Sequence, residues 1–266
     1  MSEQARFATL ASGFKYWAVG AIHGEAERLG RLHQQIAGKI GPRDSLVYLG
    51  NFLGLGPAVL QTIDELLLFR RSLIARRGAE FQDIVYLRGA QEEMWHKLLQ
   101  IHFAPNPREV VEWMLKNGVE STLNAYGQSG ESCQRALMGG TINISKWTAA
   151  LRSRIRAYDG HDALMATLRR AAFSDDGTML FVNAGIDVSR PLSEQTDSFW
   201  WGGQDFERIG SSYSGFRRVV RGYDHRHQGL AVHAFTATID GGCGFGGPLI
   251  AACFDGAGEL LETLEA

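Results

Sequence analysis

Val19-Gly20-Ala21-Ile22-His23-Gly24 closes an apolar strand that starts at Tyr16 and empties it into a glycine-punctuated loop. Glu25 to Ile36 follows with Leu29, Leu32 and Ile36 at helical spacing, so the stretch is the turn of a β-loop-α unit. The unit recurs. Ser45 to Leu49 predicts a strand, Gly50 to Pro57 a second glycine-rich loop, and Ala58 to about Ala75 an apolar helix. Asp83 to Leu87, Arg88 to Glu92 and Glu93 to Ile101 repeat the order. Successive units of this kind predict parallel strands whose C-terminal loops gather on one edge, where α/β proteins keep their sites.

Beyond this, Pro105-Asn106-Pro107 punctuates the chain. Arg108 to Asp159 is mostly helical in character, with a polar stretch at Tyr126 to Ser132, and His161 to Ala172 continues as helix. We read residues from about 105 to 172 as a helical insertion covering the site. Thr178 to Val182 is again strand; Arg217 to Val220, Ala231 to Ile239, Leu249 to Phe254 and Glu259 to Leu264 read as strands of an antiparallel meander. The expected architecture is α/β, a four-layer αββα sandwich of two mixed sheets flanked by helices, in one domain spanning 1–266.

The composition fits that reading. In 266 residues, 45% are apolar and 21% charged, enough for a well-buried core. A net charge of −2 gives no electrostatic case for nucleic acid or an anionic membrane surface. No run of about 18 apolar residues and no signal-peptide pattern occurs, so a cytoplasmic protein without membrane insertion is expected. Cys133, Cys243 and Cys253 are odd in number and lack metal-type spacing, which predicts buried thiols.

The loops carry a resemblance to a known family. Gly20-Ala21-Ile22-His23-Gly24 is similar to Gly-Asp-x-His-Gly of the calcineurin-like metallophosphoesterases, in particular their bacterial phosphoprotein-phosphatase and dinucleoside-tetraphosphatase branch. Leu49 to Pro57 resembles Leu-Gly-Asp-x-x-Asp-Arg-Gly-Pro, and Leu87 to Glu92 resembles Leu-Arg-Gly-Asn-His-Glu. Trp113 to Gly127 resembles the segment that follows in bacterial members. Phe181-Val182-Asn183-Ala184-Gly185-Ile186 is similar to Phe-Val-His-Ala-Gly-Ile, and Val219-Val220-Arg221-Gly222-Tyr223 to Val-Val-His-Gly-His. Ile239-Asp240-Gly241-Gly242 resembles Leu-Asp-Thr-Gly. Each piece is short, but together they span the chain in the right order.

In that family two divalent cations held by Asp, His and Asn make hydroxide from water and clamp the phosphoryl oxygens. The resemblance lays the expected ligands on Ala21, His23, Asn51, Ala90, Asn183 and Tyr223, and of these only His23 retains the family's residue type. Asn51 stands where a bridging carboxylate would offset repulsion between the cations. Gln91 replaces a His that assists the leaving group and cannot shuttle protons. Gly54 and Leu55 stand at the positions of an Asp and a phosphate-contacting Arg. Loss of one ligand or its support commonly costs about 10- to 100-fold, so the expectation is no catalytic residue, no metal and no cofactor.

The remaining polar residues carry chemistry of their own. Asn51, Gln91 and Asn183 are read as a neutral hydrogen-bond network. Arg88 and Arg221 flank the inferred pocket, where a guanidinium pair suits phosphate, with structural ion pairs as the bland reading. Asp224-His225-Arg226-His227 reads as a turn, not a relocated metal site. The run Gly242 to Gly247 formally matches a dinucleotide fingerprint, but Pro248 and a strand follow, so it reads as a hairpin connection. Phe199-Trp200-Trp201 reads as core or as a partner surface. The functional expectation is a catalytically inactive relative acting as a binding, scaffolding or regulatory protein with a protein partner. The alternatives are a phosphoesterase with an altered or single-metal site, and a sensor of a phosphorylated ligand or nucleotide.

Overall fold

The computed structural model describes residues 6–77, 83–202 and 206–266. Strands are β1 (Phe7–Leu10), β2 (Tyr16–Val19), β3 (Ser45–Tyr48), β4 (Ile84–Tyr86), β5 (Ala171–Ser174), β6 (Met179–Val182), β7 (Arg218–Arg221), β8 (Gly229–Val232), β9 (Thr236–Asp240), β10 (Ile250–Phe254) and β11 (Leu260–Glu265). Helices are α1 (Ala26–Ala37), α2 (Val59–Arg77), α3 (Ala90–Leu99), α4 (Pro107–Met114), α5 (Glu120–Ala125), α6 (Gly130–Met138), α7 (Gly140–Arg156), α8 (His161–Thr167) and α9 (Ser198–Trp201). One sheet has the order β11-β10-β2-β3-β4 and the other β1-β5-β6-β7-β9-β8. As the repeated units predict, β2, β3 and β4 are parallel.

Alternation along the strands builds the layers. Tyr16 and Ala18 of β2, Val47 of β3, Phe181 of β6, Val220 of β7 and Ala252 of β10 share one buried cluster, which packs the two sheets face to face. Trp17, Val19, Leu46 and Tyr48 point the other way, into a larger core. There they meet Leu29, Leu32 and Ile36 of α1 and Ile63 and Leu66 of α2. Val111, Leu123, Leu137, Leu151 and Leu164 from the helical stretch after Pro107 join that same core. The outer face of the second sheet is covered by Phe199 and Trp200 of α9 with Phe206, Tyr213 and Phe216. Two mixed sheets between helical covers make the αββα sandwich, its fourth layer built largely of loop.

Several elements differ from the sequence reading. The strand expected from Ala231 to Ile239 is the hairpin β8–β9, turned where His233 N donates to Thr236 O (2.8 Å). The helix expected to reach Ala172 ends at Thr167, and Ala171–Ser174 pairs in parallel with β1. The C-terminal strands are not one meander. β7 lies parallel to both β6 and β9, while β10 returns to the first sheet beside β2. Gly242 to Gly247 therefore crosses between sheets and is not a hairpin connection. The three cysteines are free and buried, as expected. Among the described residues no helix is long and apolar enough to cross a membrane.

Candidate functional site

The loops after β2, β3, β6 and β7 fasten to one another through their backbones, and the loop after β4 joins them through the Asn51 and Glu92 side chains. Ile22 N and His23 N both donate to Asn51 O (3.0 and 2.7 Å), and Ala21 N donates to Gly222 O (2.9 Å). Gly222 N and Tyr223 N donate to Asn183 O (2.9 and 3.0 Å). Five of the positions laid out above, Ala21, His23, Asn51, Asn183 and Tyr223, are thereby gathered at one edge. Ala90, the sixth, opens α3 beside them. His23 and Asn51 hold left-handed backbone conformations, with φ of 53° and 57°. Such conformations cost roughly 1–2 kcal/mol in a residue other than glycine, less in Asn, and persist where surroundings over-determine them.

Glu92 over-determines this one. Its buried carboxylate accepts from the N–H groups of Asn51 (2.8 Å), Phe52 (2.8 Å) and Leu53 (3.0 Å), and reaches back to Gly89 N (2.8 Å) at the start of α3. Burial pushes the Glu92 carboxyl upward, and those donors pull it back. Glu92 ends the motif Leu87 to Glu92, and its task is to shape the second loop, which no spacing in the sequence reveals.

The side chains at the centre are neutral and enclosed. Asn51 Oδ1 accepts from Gln91 N (3.1 Å), Gln91 Nε2 donates to Asn117 O (2.7 Å) and Asn183 Nδ2 donates to Leu49 O (2.6 Å). The rings of Tyr223 and Phe245 stand edge-on to His23, with centroids 5.8 and 5.5 Å away. Burial depresses the His23 pKa to about 3, and the Leu53 backbone opposes this without meeting either ring nitrogen in hydrogen-bond geometry. His23 is a neutral imidazole at pH 7.

The helical stretch closes over this edge. Leu55 N donates to Gly118 O (3.3 Å), Gly54 N to Thr122 Oγ1 (3.0 Å) and Ser121 Oγ to Leu55 O (2.8 Å). Gly54, at φ 80°, lies so close to the Gln91 amide that any Cβ there would collide with it. Gly54 and Leu55 thus serve to dock the segment from Asn117 to Thr122, contacts no sequence motif announced.

Arg88 and Arg221 have separate partners. Arg88 pairs with Glu93 (3.1 Å). Arg221 lies on the face of β7 opposite Val220, where Nε donates to Thr238 Oγ1 (2.8 Å) and Nη2 faces Asp224 (3.3 Å) and Glu207 (3.5 Å). Its guanidinium covers the Phe206 ring at 4.4 Å. His225 and Arg226 form the expected turn, and His227 Nδ1 meets Asp240 Oδ2 at 2.8 Å. Phe199 and Trp200 are core, whereas Trp201 is 42% exposed and packs edge-on to the 46% exposed Trp113 at 5.3 Å.

A two-cation centre needs anionic oxygen donors, and the residues present do not fit one. Ala21 and Ala90 offer no donor atom, Asn51 Oδ1 is engaged by a backbone N–H, and Glu92 is committed to four others. Among the described residues no group of three or more His, Cys, Asp or Glu could hold a metal ion.

No protein-family model matches the sequence, and no curated protein matches it. Solved structures do. A crystal structure described as a candidate diadenosine tetraphosphatase superimposes with a TM-score of 0.56 at 18% identity, covering 98% of each chain. A protein serine/threonine phosphatase from Saccharomyces cerevisiae, similar to human phosphatase PP5, gives 0.50 at 15% identity over 98% of this chain and 84% of that one. A cold-active protein tyrosine phosphatase gives 0.53 at 13% identity over 99% and 83%. The chain shares the fold of these structures, two mixed sheets packed together and flanked by helices.

Proposed function

We propose that this chain is a pseudophosphatase, which retains the phosphoesterase fold without the chemistry and works by binding, with a protein as its partner in a scaffolding or regulatory role. The observation that carries the proposal is the donor set at the strand ends: neutral or apolar side chains at Ala21, Asn51, Ala90, Asn183 and Tyr223, around an imidazole that burial keeps uncharged. In-line phosphoryl transfer needs positive charge or preorganised donors where charge develops. Here Ala21, Gly54 and Ala90 supply no such side chain, Leu55 is aliphatic, and both guanidinium groups face carboxylates. The docking of Asn117 to Thr122 onto the second loop is a second support, since it engages the backbone groups of Gly54 and Leu55 within the protein.

The partner surface we assign is the half-exposed aromatic pair Trp113 and Trp201. Exposed Trp residues are favoured anchors of protein interfaces.

The test is direct. Purified protein is expected to carry far less than one metal per chain and to hydrolyse p-nitrophenyl phosphate in excess Mn²⁺ no faster than buffer. Stoichiometric metal with turnover that His23→Ala abolishes would overturn the proposal. A pull-down comparing the native chain with a Trp113→Ala/Trp201→Ala variant addresses the surface, and a partner held equally by both would remove it from the aromatic pair.

A further inference from the structure

We propose that His23, Asn51, Gln91 and Asn183 form a buried site for small neutral hydrogen-bonding molecules, filled by ordered water. These side chains are 2%, 1%, 6% and 0% exposed, and five of their polar atoms have no hydrogen-bond partner: His23 Nδ1 and Nε2, Asn51 Nδ2, Gln91 Oε1 and Asn183 Oδ1. His23, Asn51 and Asn183 sit on loops and Gln91 in the first turn of α3, and hydrogen bonds among these segments bring the four residues together at one edge of the sandwich. Elsewhere such atoms are scattered singly, as at Trp17, His102 and Trp200.

The chain satisfies its other buried histidines. His33 places Nδ1 on Glu65 (2.6 Å) and Nε2 on the Tyr48 hydroxyl (2.8 Å). His161 places Nδ1 on the Tyr126 hydroxyl (2.8 Å) and Nε2 on Asp64 (3.1 Å). His23 alone of the three has neither nitrogen engaged. Buried polar groups without protein partners are what internal waters bind, typically through about three hydrogen bonds each.

The chemistry of the unpartnered atoms selects the guest. Each amide orientation is fixed by a backbone group, which leaves Asn51 as a donor and Gln91 and Asn183 as acceptors. A neutral imidazole adds one donor and one acceptor. A cation would meet the Asn51 and His23 N–H groups; an anion would meet two amide oxygens. A molecule that donates and accepts equally, water above all, satisfies both sets. The inference does not depend on the chain having a protein partner.

Two measurements test it. Crystals grown with and without Mn²⁺ are expected to show solvent peaks bonded to Asn51 Nδ2, Gln91 Oε1 and Asn183 Oδ1 in both, with no anomalous signal. Amides paired directly with one another around no solvent peak would overturn this inference alone, whereas a manganese peak would overturn it together with the proposed function. In solution, oxygen-17 relaxation dispersion counts long-lived internal waters. Gln91→Met is expected to lose at least one relative to the native chain, with Asn183→Leu as the second variant should the first fail to fold. An unchanged count in a folded variant would refute the site.

Discussion

Two polar clusters meet at the Tyr223 ring, which stands 5.8 Å from His23 and 5.5 Å from His227. On the His227 side, Asp240 accepts from Asp224 N (2.8 Å), His227 Nδ1 (2.8 Å) and Gly242 N (2.9 Å), while Arg221 lies between Thr238, Asp224 and Glu207. On the His23 side, three amides and an imidazole leave five buried atoms unpartnered. Both clusters lie at strand ends, yet only the charged one closes its own hydrogen bonds. A cluster whose task is to hold the fold must do so, because a low-dielectric interior magnifies the cost of each unmade bond. The neutral cluster departs from that rule at three positions, His23, Asn51 and Asn183, where the sequence resemblance places metal ligands, and at Gln91 beside them. Its backbone framework is held by Glu92, and the side chains set on that framework are neutral.

The largest effect is expected at Asp240. Asp240→Ala removes an acceptor shared by three donors and leaves Arg221 and Asp224 in a changed field, so a loss of about 3–5 kcal/mol is expected, as for breaking a buried ionic network. Urea denaturation measures it; a loss below about 1 kcal/mol would show that the charged cluster is no more structural than the neutral one.

The next largest effect is one of pH. His23 has a folded-state pKa of about 3 against an ordinary 6.5. Between those values the unfolded chain binds a proton that the folded chain refuses, so stability is full above about pH 6.5 and falls as the pH drops toward 3. At about 1.4 kcal/mol per unit, the loss between pH 7 and 4 is on the order of 3 kcal/mol. His23→Leu is expected to flatten that slope. If both proteins lose stability in parallel over this range, His23 is not held neutral in the folded state.

Asn51→Asp sharpens the contrast further. It sets a carboxylate into an enclosed, neutral site near the buried Glu92, at an expected cost of about 2–3 kcal/mol at pH 8 that shrinks at pH 5 as the carboxyl protonates. Mn²⁺ is expected not to restore the loss, because Ala21, Ala90 and Asn183 still offer no matching ligands. A melting temperature that rises with Mn²⁺ would place the centre one substitution from metal binding.

How much of this was legible in the sequence differs between the same regions. The loop edge was, because each of β2, β3 and β4 is followed by a glycine-marked turn and then a helix, so order alone brings the loops together. The β8–β9 hairpin was not. His233-Ala234-Phe235 joins two apolar strands without the Gly, Pro or Asn that marks most turns. β5 was masked by Leu164, Leu168 and Ala172, which continue a helical spacing, while its parallel partner β1 lies far away in the chain. Arg221 could have been placed: Val220 faces the other sheet, so its neighbour must face outward. The unpartnered atoms could not, since which amide atom stays free depends on backbone partners, such as the donor Gln91 N and the acceptor Leu49 O, that no spacing reveals.

The smallest effect is expected at Gln91, and its smallness is informative. Gln91→Met keeps the length of the side chain but removes the donor to Asn117 O and the unpartnered Oε1. Losing the hydrogen bond costs about 1 kcal/mol, and removing a poorly satisfied buried oxygen offsets part of it, so the variant is expected to fall within about 1 kcal/mol of the native chain. Urea midpoints of Gln91→Met and Asp240→Ala, measured side by side, turn the contrast between the clusters into a number. Should Gln91→Met cost as much as Asp240→Ala, the neutral cluster would itself be holding the fold, and the docking of Asn117 through Gln91 would be the first contact to examine.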